Sequence, residues 1–130
     1  MAKITATIGT QHYRTEIKTE TNTILSDEPL SYGGGDLGFS PDELLASALG
    51  ACTSATLRMY ADRKGWAELT GVQVEVVFNR GADRSFITRD IVLEGPLSTE
   101  QRDRLLDIAN RCPIHRTLSH PIEINNTTLK

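Results

Sequence analysis

The residues with the most chemistry to offer in this chain are its two cysteines, Cys52 and Cys112. A cysteine that loses its proton is a nucleophile, a metal ligand or a disulfide partner; otherwise it is a small apolar filler. They form no Cys-x-x-Cys pair, so neither a zinc ribbon nor a thioredoxin-type centre is offered. His115 follows Cys112 by three positions, but a lone Cys-x-x-His leaves four-coordinate zinc incomplete, with His12, His120 and Cys52 as the further soft ligands. No metal or other cofactor is expected, and His115 reads as a structural or pKa-tuning histidine. For the cysteines two readings stay open at this stage: buried packing, or redox cycling.

Two helices must carry these thiols. Ser40 is an N-cap, Pro41 suits the first helical position, and Glu43 closes a capping box with Ser40. Leu45, Ala48, Leu49, Cys52, Ala55, Thr56 and Met59 then recur at helical spacing, and Gly65 after Lys64 supplies a left-handed cap, which predicts one helix over 41–64. Small residues, Ala46-Ser47-Ala48-Leu49-Gly50-Ala51, lead into Cys52 where an ordinary core helix prefers Leu or Ile. They leave room for something to approach the sulfur. A second helix begins at Ser98, boxed with Gln101, and its apolar set Leu105, Ile108, Ala109 and Cys112 points to the core or an interface. Pro113 disfavours helical backbone at Cys112, so that cysteine is expected at the helix C-terminus.

The remaining elements are strands. Ile4-Thr5-Ala6-Thr7-Ile8 and Tyr13-Arg14-Thr15-Glu16-Ile17 predict a meander of two or three antiparallel strands in the first thirty residues. The glycine-dense run from Ser31 to Phe39 predicts an irregular loop, able to bring backbone close to another group. Val72, Val74, Val76 and Phe78 alternate, as do Ile87, Arg89, Ile91 and Leu93, which predicts a hairpin joined by the polar Asn79–Ser85 segment. Ile122 and Ile124 predict a short final strand. The fold class is α+β, antiparallel sheets with two main helices in a single domain over 1–130.

Composition narrows the function classes. With 38% hydrophobic residues, 24% charged and a net charge of −3, the chain has no electrostatic footprint for nucleic acid. No apolar run reaches the roughly 18 residues of a membrane span, and Met1-Ala2-Lys3-Ile4-Thr5 lacks the layout of a signal peptide. A cytoplasmic protein is expected. Arg58, Arg63 and Arg111 read as surface charges.

The stretch from Pro41 to Cys52, Ala-rich and ending in Ala51-Cys52, together with Cys112-Pro113 at the end of a second helix, resembles the osmotically inducible protein C and organic hydroperoxide resistance family (OsmC/Ohr). That resemblance implies an intertwined homodimer with sites at the interface, and a thiol peroxidase acting on organic hydroperoxides. It makes Cys52 the peroxidatic cysteine and Cys112 the resolving one, with an external dithiol as reductant. An arginine of the N-terminal strands, here Arg14, and a carboxylate at the start of the long helix, here Asp42 or Glu43, are implied to stabilise the thiolate. Asp42 stands where the family carries a glutamate, and the glycine-rich turn before the arginine is missing. Those departures favour an alternative: an OsmC-like fold without peroxidase activity that binds a small apolar or thiol-bearing ligand at the dimer interface. Apolar helical stripes lead to an expected preference for lipophilic peroxides over hydrogen peroxide.

Overall fold

Alternating Thr and Ile near the N-terminus form three short strands, β1 (Thr5–Ile8), β2 (Thr15–Lys18) and β3 (Thr23–Ser26). They pair antiparallel in the order β1-β2-β3, with Ala6 opposite Ile17 and Ile17 opposite Ile24. The expected meander is present. The computed structural model describes residues 1–130 and divides into two compact units, Met1–Ala46, which holds this sheet, and Ser47–Lys130.

What orders the glycine-dense run of the first unit is Asp27, directly after β3 and only 2% exposed. One carboxylate oxygen accepts from the backbone N–H groups of Tyr13 (2.9 Å) and Glu28 (2.7 Å), the other from Gly35 and Leu37 (both 3.2 Å). Buried carboxylates are tolerated when backbone donors satisfy their lone pairs. A Cβ at Gly34 would collide with the Glu28 carbonyl, so the chain needs glycine to close this cradle. Backbone is thus brought close to another group here, as the glycines implied.

Helix α1 spans Pro41–Lys64 and opens with the expected box: Ser40 Oγ accepts from Glu43 N at 3.2 Å, and Glu43 Oε1 accepts from Ser40 N at 2.9 Å. Gly65, at φ 69°, ends it in the left-handed region. The buried stripe differs from the expected one. Leu49, Thr53, Leu57, Tyr60 and Ala61 face inward, whereas Ala48, Ala51, Ala55 and Met59 are exposed. The helix carries small and apolar residues around most of its circumference, and the bulkier side of it, Leu57 with Tyr60, wins the core.

In the second unit β4 (Gly71–Asn79) pairs antiparallel with β5 (Phe86–Glu94), Val76 opposite Arg89. Helix α2 (Thr99–Ala109) starts in the Ser98–Gln101 capping box. Leu57, Tyr60, Ala61 and Leu69 pack on Leu105, Ile108 and Ala109, flanked by Val72, Ile91 and Leu93 of the hairpin. Two expectations need correction. Cys112 is not in the second helix, which ends at Ala109; it sits in extended backbone (φ −62°, ψ 138°) as the N-cap of a further helix, α3 (Pro113–Leu118). Pro113 does more than stop a helix, because its fixed φ also starts the next one. The strand expected at Ile122 and Ile124 does not form: both are exposed, and no neighbouring strand offers them a ladder. No helix is long and apolar enough to cross a membrane.

The Asp27 cradle yields a direct test. Burial raises its carboxyl, but four backbone N–H groups outweigh that and hold it below the usual value. The stabilisation is therefore complete above the unfolded value, about 3.8, and is lost as pH falls through the folded one. We expect Asp27→Asn to lower the melting temperature by several degrees at neutral pH and to strip hydrogen-exchange protection from the Gly35 and Leu37 amides. Unchanged protection of those two amides would refute the role given to Asp27.

Candidate functional site

The inward face of β5 carries Ile87, Arg89, Ile91 and Leu93, so one charge stands in an apolar row. A guanidinium there must find acceptors, and Arg89 finds four. Its Nη1 donates to Thr53 Oγ1 on α1 (2.9 Å) and to the Ala109 carbonyl at the end of α2 (3.2 Å). Its Nη2 donates to Asn110 Oδ1 (2.9 Å) and meets His115 Nδ1 on α3 (3.2 Å). Arginine only donates, so His115 Nδ1 is the acceptor and its ring proton lies on Nε2. Burial first, and the Arg89 charge second, hold the His115 imidazolium below its ordinary pKa. The neutral ring is the form this site needs.

Cys112 lies inside the same cluster with no exposed surface. Its sulfur accepts from the His115 backbone N–H at 3.3 Å and from Thr53 Oγ1 at 3.9 Å. Thr53 is fully buried and also bonds the Leu49 carbonyl at 2.8 Å. Burial pushes the Cys112 thiol up, but the His115 N–H, the Cys52 and Thr53 side chains and the Ile114 N–H outweigh it, and the net shift is downward. Cys52 itself is half-buried, with its sulfur 4.0 Å from Thr56 Oγ1. Both thiols are free.

Of the residues expected from sequence, Cys112 and His115 share one cluster, and Cys52 is next on α1 to Thr53, which reaches the Cys112 sulfur. Arg14, Asp42 and Glu43 belong to the Met1–Ala46 unit, whereas both thiols belong to the other. Arg14 is half-buried just before β2, Asp42 is exposed in the first turn of α1, and the Glu43 carboxylate is engaged in the capping box. Arg58 is less superficial than expected, donating Nη1 to the Leu69 carbonyl at 2.7 Å. Arg111 pairs with Asp107 at 3.1 Å. Arg89, Thr53 and Asn110 were not singled out by sequence. For Arg89 the signal was present: a charge in phase with the apolar face of a strand. An adjoining cavity of about 390 Å³ is lined by Leu49, Ile87 and Leu118 together with Arg89, His115 and Ser119.

Arg89→Ala leaves Thr53, the Ala109 carbonyl, Asn110 and His115 without their shared donor. We expect a loss of about 2–3 kcal/mol in urea unfolding, the scale of hydrogen bonds to a charged group. Because the folded imidazole resists protonation, the unfolded chain binds the extra proton as pH drops below about 6.5, and stability falls with pH there. His115→Gln keeps an acceptor for Arg89 without titrating. It should flatten that slope, and a slope unchanged in the variant would remove His115 as its source.

The family model described as OsmC-like protein matches residues 33–127. Among solved structures, the chain is 25% identical to one from Psychrobacter arcticus described as an osmotic stress induced and detoxification response protein, over 93% of this chain and 90% of that one, with a TM-score of 0.77. An OsmC like protein from Mycoplasma pneumoniae is also 25% identical, over 90% of this chain and 86% of that one, with a TM-score of 0.76. The organic hydroperoxide resistance protein OhrB of Bacillus subtilis shares the fold at 20% identity, over 90% and 89% of the two chains and with a TM-score of 0.62. No curated protein matches the chain. The matched span takes in both cysteines and every residue of the Arg89 cluster, and on it this chain belongs to the OsmC-like family.

Proposed function

We propose that this protein is a thiol-dependent peroxidase that reduces organic hydroperoxides through Cys52 and Cys112. The observation that carries the reading is that the half-buried Cys52 is next on α1 to Thr53, whose hydroxyl lies 3.9 Å from the sulfur of the fully buried Cys112. A half-buried sulfur is reachable by a small oxidant, and a buried neighbour is placed to trap the product.

In the first step the Cys52 thiolate attacks the distal oxygen of the hydroperoxide. An S–O bond forms, the O–O bond breaks, and the alkoxide leaves as an alcohol once protonated. In the second, the Cys112 sulfur attacks the Cys52 sulfenic acid, an S–S bond forms and hydroxide departs. An external dithiol returns both cysteines to the reduced state. The cavity beside Arg89 and His115 mixes Leu49, Ile87 and Leu118 with Ser85 and Ser119, and its three apolar side chains offer a place for an alkyl tail, the basis for reading a preference for lipophilic peroxides over hydrogen peroxide. The exposed Ala48, Ala51, Ala55 and Met59 row on α1 supports a homodimer, a second copy burying what one chain leaves open. A cytoplasmic location suits thiols that must be kept reduced.

In the unit that holds both thiols the neighbouring cation is Arg89, while the family resemblance gives Arg14, with Asp42 or Glu43, the task of stabilising the thiolate. Comparing Arg14→Gln with Arg89→Gln in hydroperoxide consumption apportions that task between them.

One equivalent of an organic hydroperoxide, followed by mass spectrometry, should show a loss of two hydrogens and a peptide cross-linking Cys52 to Cys112. Cys52→Ser should abolish peroxide consumption, and Cys112→Ser should leave a sulfenic acid at Cys52. Persistent free thiols after oxidant would sink the reading. If apolar ligands then raise the melting temperature, the ligand-binding alternative takes its place.

A further inference from the structure

Outside the thiol cluster, the end of α1 and the start of α2 enclose a cavity of about 570 Å³ whose walls include Tyr60, Lys64, Trp66, Gln101 and Arg104. Tyr60 is buried and meets Trp66 edge to face, with ring centroids 5.5 Å apart and planes at 73°. Three cations surround that phenol. Arg63, Lys64 and Arg104 stand 5.8, 5.7 and 5.6 Å from its ring centroid, and Arg104 Nε donates to its oxygen at 2.8 Å. The Arg104 hydrogen bond first, and the charges of Arg104, Lys64 and Arg63 with it, hold the phenol below its ordinary pKa although burial opposes them.

The chain does not neutralise the charge gathered here. Asp62 is taken by Arg58 at 3.1 Å, and Asp107 is divided between Arg104 (3.3 Å) and Arg111 (3.1 Å). Arg63 and Lys64 form no ion pair. Arg104 commits Nε to Tyr60 and Nη1 to Asp107, which leaves Nη2 open. A basic last turn complements the dipole of α1 and accounts for Arg63 and Lys64. It does not account for Arg104, which lies toward the positive end of α2, where the dipole favours acids. Glu100 is the one carboxylate of the cavity wall, set against Lys64 and Arg104, with Arg63 beside them as a third charge. In a chain of net charge −3 this is a local reversal of sign.

We propose that this cavity is a binding site, separate from the thiol cluster, for a planar ring that carries a phosphate, the chemistry shared by nucleotides and simpler aryl phosphates. Trp66 gives a planar ring a surface to stack on, and Lys64 Nζ with Arg104 Nη2 donates to the phosphate oxygens. An apolar ligand would cover those cations without a partner, and a bare inorganic anion would leave the indole unused. The site does not rest on the peroxidase reading, since none of its residues belongs to the Arg89 cluster.

Trp66 is the only tryptophan of the chain, so its emission reports on this cavity in the intact protein. Titration with adenosine monophosphate, excited where the base does not absorb, should change that emission saturably. Adenosine and inorganic phosphate should each bind at least about tenfold more weakly, the scale of one lost hydrogen bond to a charged group. Phenyl phosphate separates the two sources: binding as tight as that of the nucleotide assigns the site to aryl phosphates at large, and weaker binding assigns it to nucleotides. Lys64→Gln, at an exposed position, should weaken binding about tenfold, as should Arg104→Gln. Glu100→Gln removes the opposing charge and should tighten it, a change of sign that lost folding would not produce. Cys52→Ser should leave binding unchanged. Calorimetry on the same pairs reads binding if the indole stays silent. No binding by either method overturns the proposal, as do equal affinities for adenosine monophosphate and adenosine, equal affinities for the nucleotide and inorganic phosphate, or an affinity indifferent to Lys64→Gln and Glu100→Gln.

Discussion

A single guanidinium joins the four elements that surround the thiols. Arg89 projects from β5 and gathers α1 through Thr53, the end of α2 through Ala109 and Asn110, and α3 through His115. A planar fork with several fixed donors suits this task, and a lysine, with one point charge on a flexible stem, does not. A carboxylate partner would have satisfied Arg89 more cheaply and would also have cancelled its charge. Neutral acceptors hold the group in place and leave its charge standing, and that charge helps keep His115 neutral. The same choice fixes the histidine tautomer, because an imidazolium has no lone pair to offer an arginine.

The position of Cys112 follows from a short chain of local causes. Pro113 pushes the preceding residue out of helical backbone, and the extended Cys112 then caps α3 with its sulfur aimed at the His115 N–H. Burial of that sulfur against Thr53 follows from the packing of α1 on α2 through Leu57, Tyr60, Leu105 and Ile108. Neither step alone makes an acidic thiol. A cap without burial leaves a surface cysteine in water, and burial without donors raises the pKa. Together they produce a buried sulfur whose donors outweigh desolvation.

Much of this frame was legible in the sequence because it is set by local rules. The limits of α1, both capping boxes, the hairpin and the burial of Leu105, Ile108 and Ala109 follow from caps and periodicity, which act over a few residues. The core-facing side of α1 was not legible, since a helix with small apolar residues on most sides leaves that choice to its partners. Helix α3 was hidden because Pro113 was read only as an ending. The polar hubs were the hardest: the donors of Asp27 and the acceptors of Arg89 come from distant parts of the sequence, and no spacing rule announces them. Yet Arg89 broke an otherwise apolar alternation, and a charge at a core phase of a strand must have a reason. The two thiols could be named from resemblance; what surrounds them is a tertiary fact.

The division of contacts within the cluster also bears on what a redox cycle requires of its scaffold. Thr53 has one hydroxyl proton and two acceptors within reach, the Leu49 carbonyl at 2.8 Å and the Cys112 sulfur at 3.9 Å. A thiolate competes for that proton; a disulfide sulfur, a weak acceptor, yields it back to the carbonyl. Arg89 touches neither sulfur through its own bonds, so its four acceptors stay in place whichever way the Thr53 proton points. The rigid part of the site is therefore separable from the part that changes charge. A network anchored on the sulfurs themselves would have to be rebuilt at each turnover, whereas one anchored on a strand arginine and neutral oxygens keeps its geometry in both states.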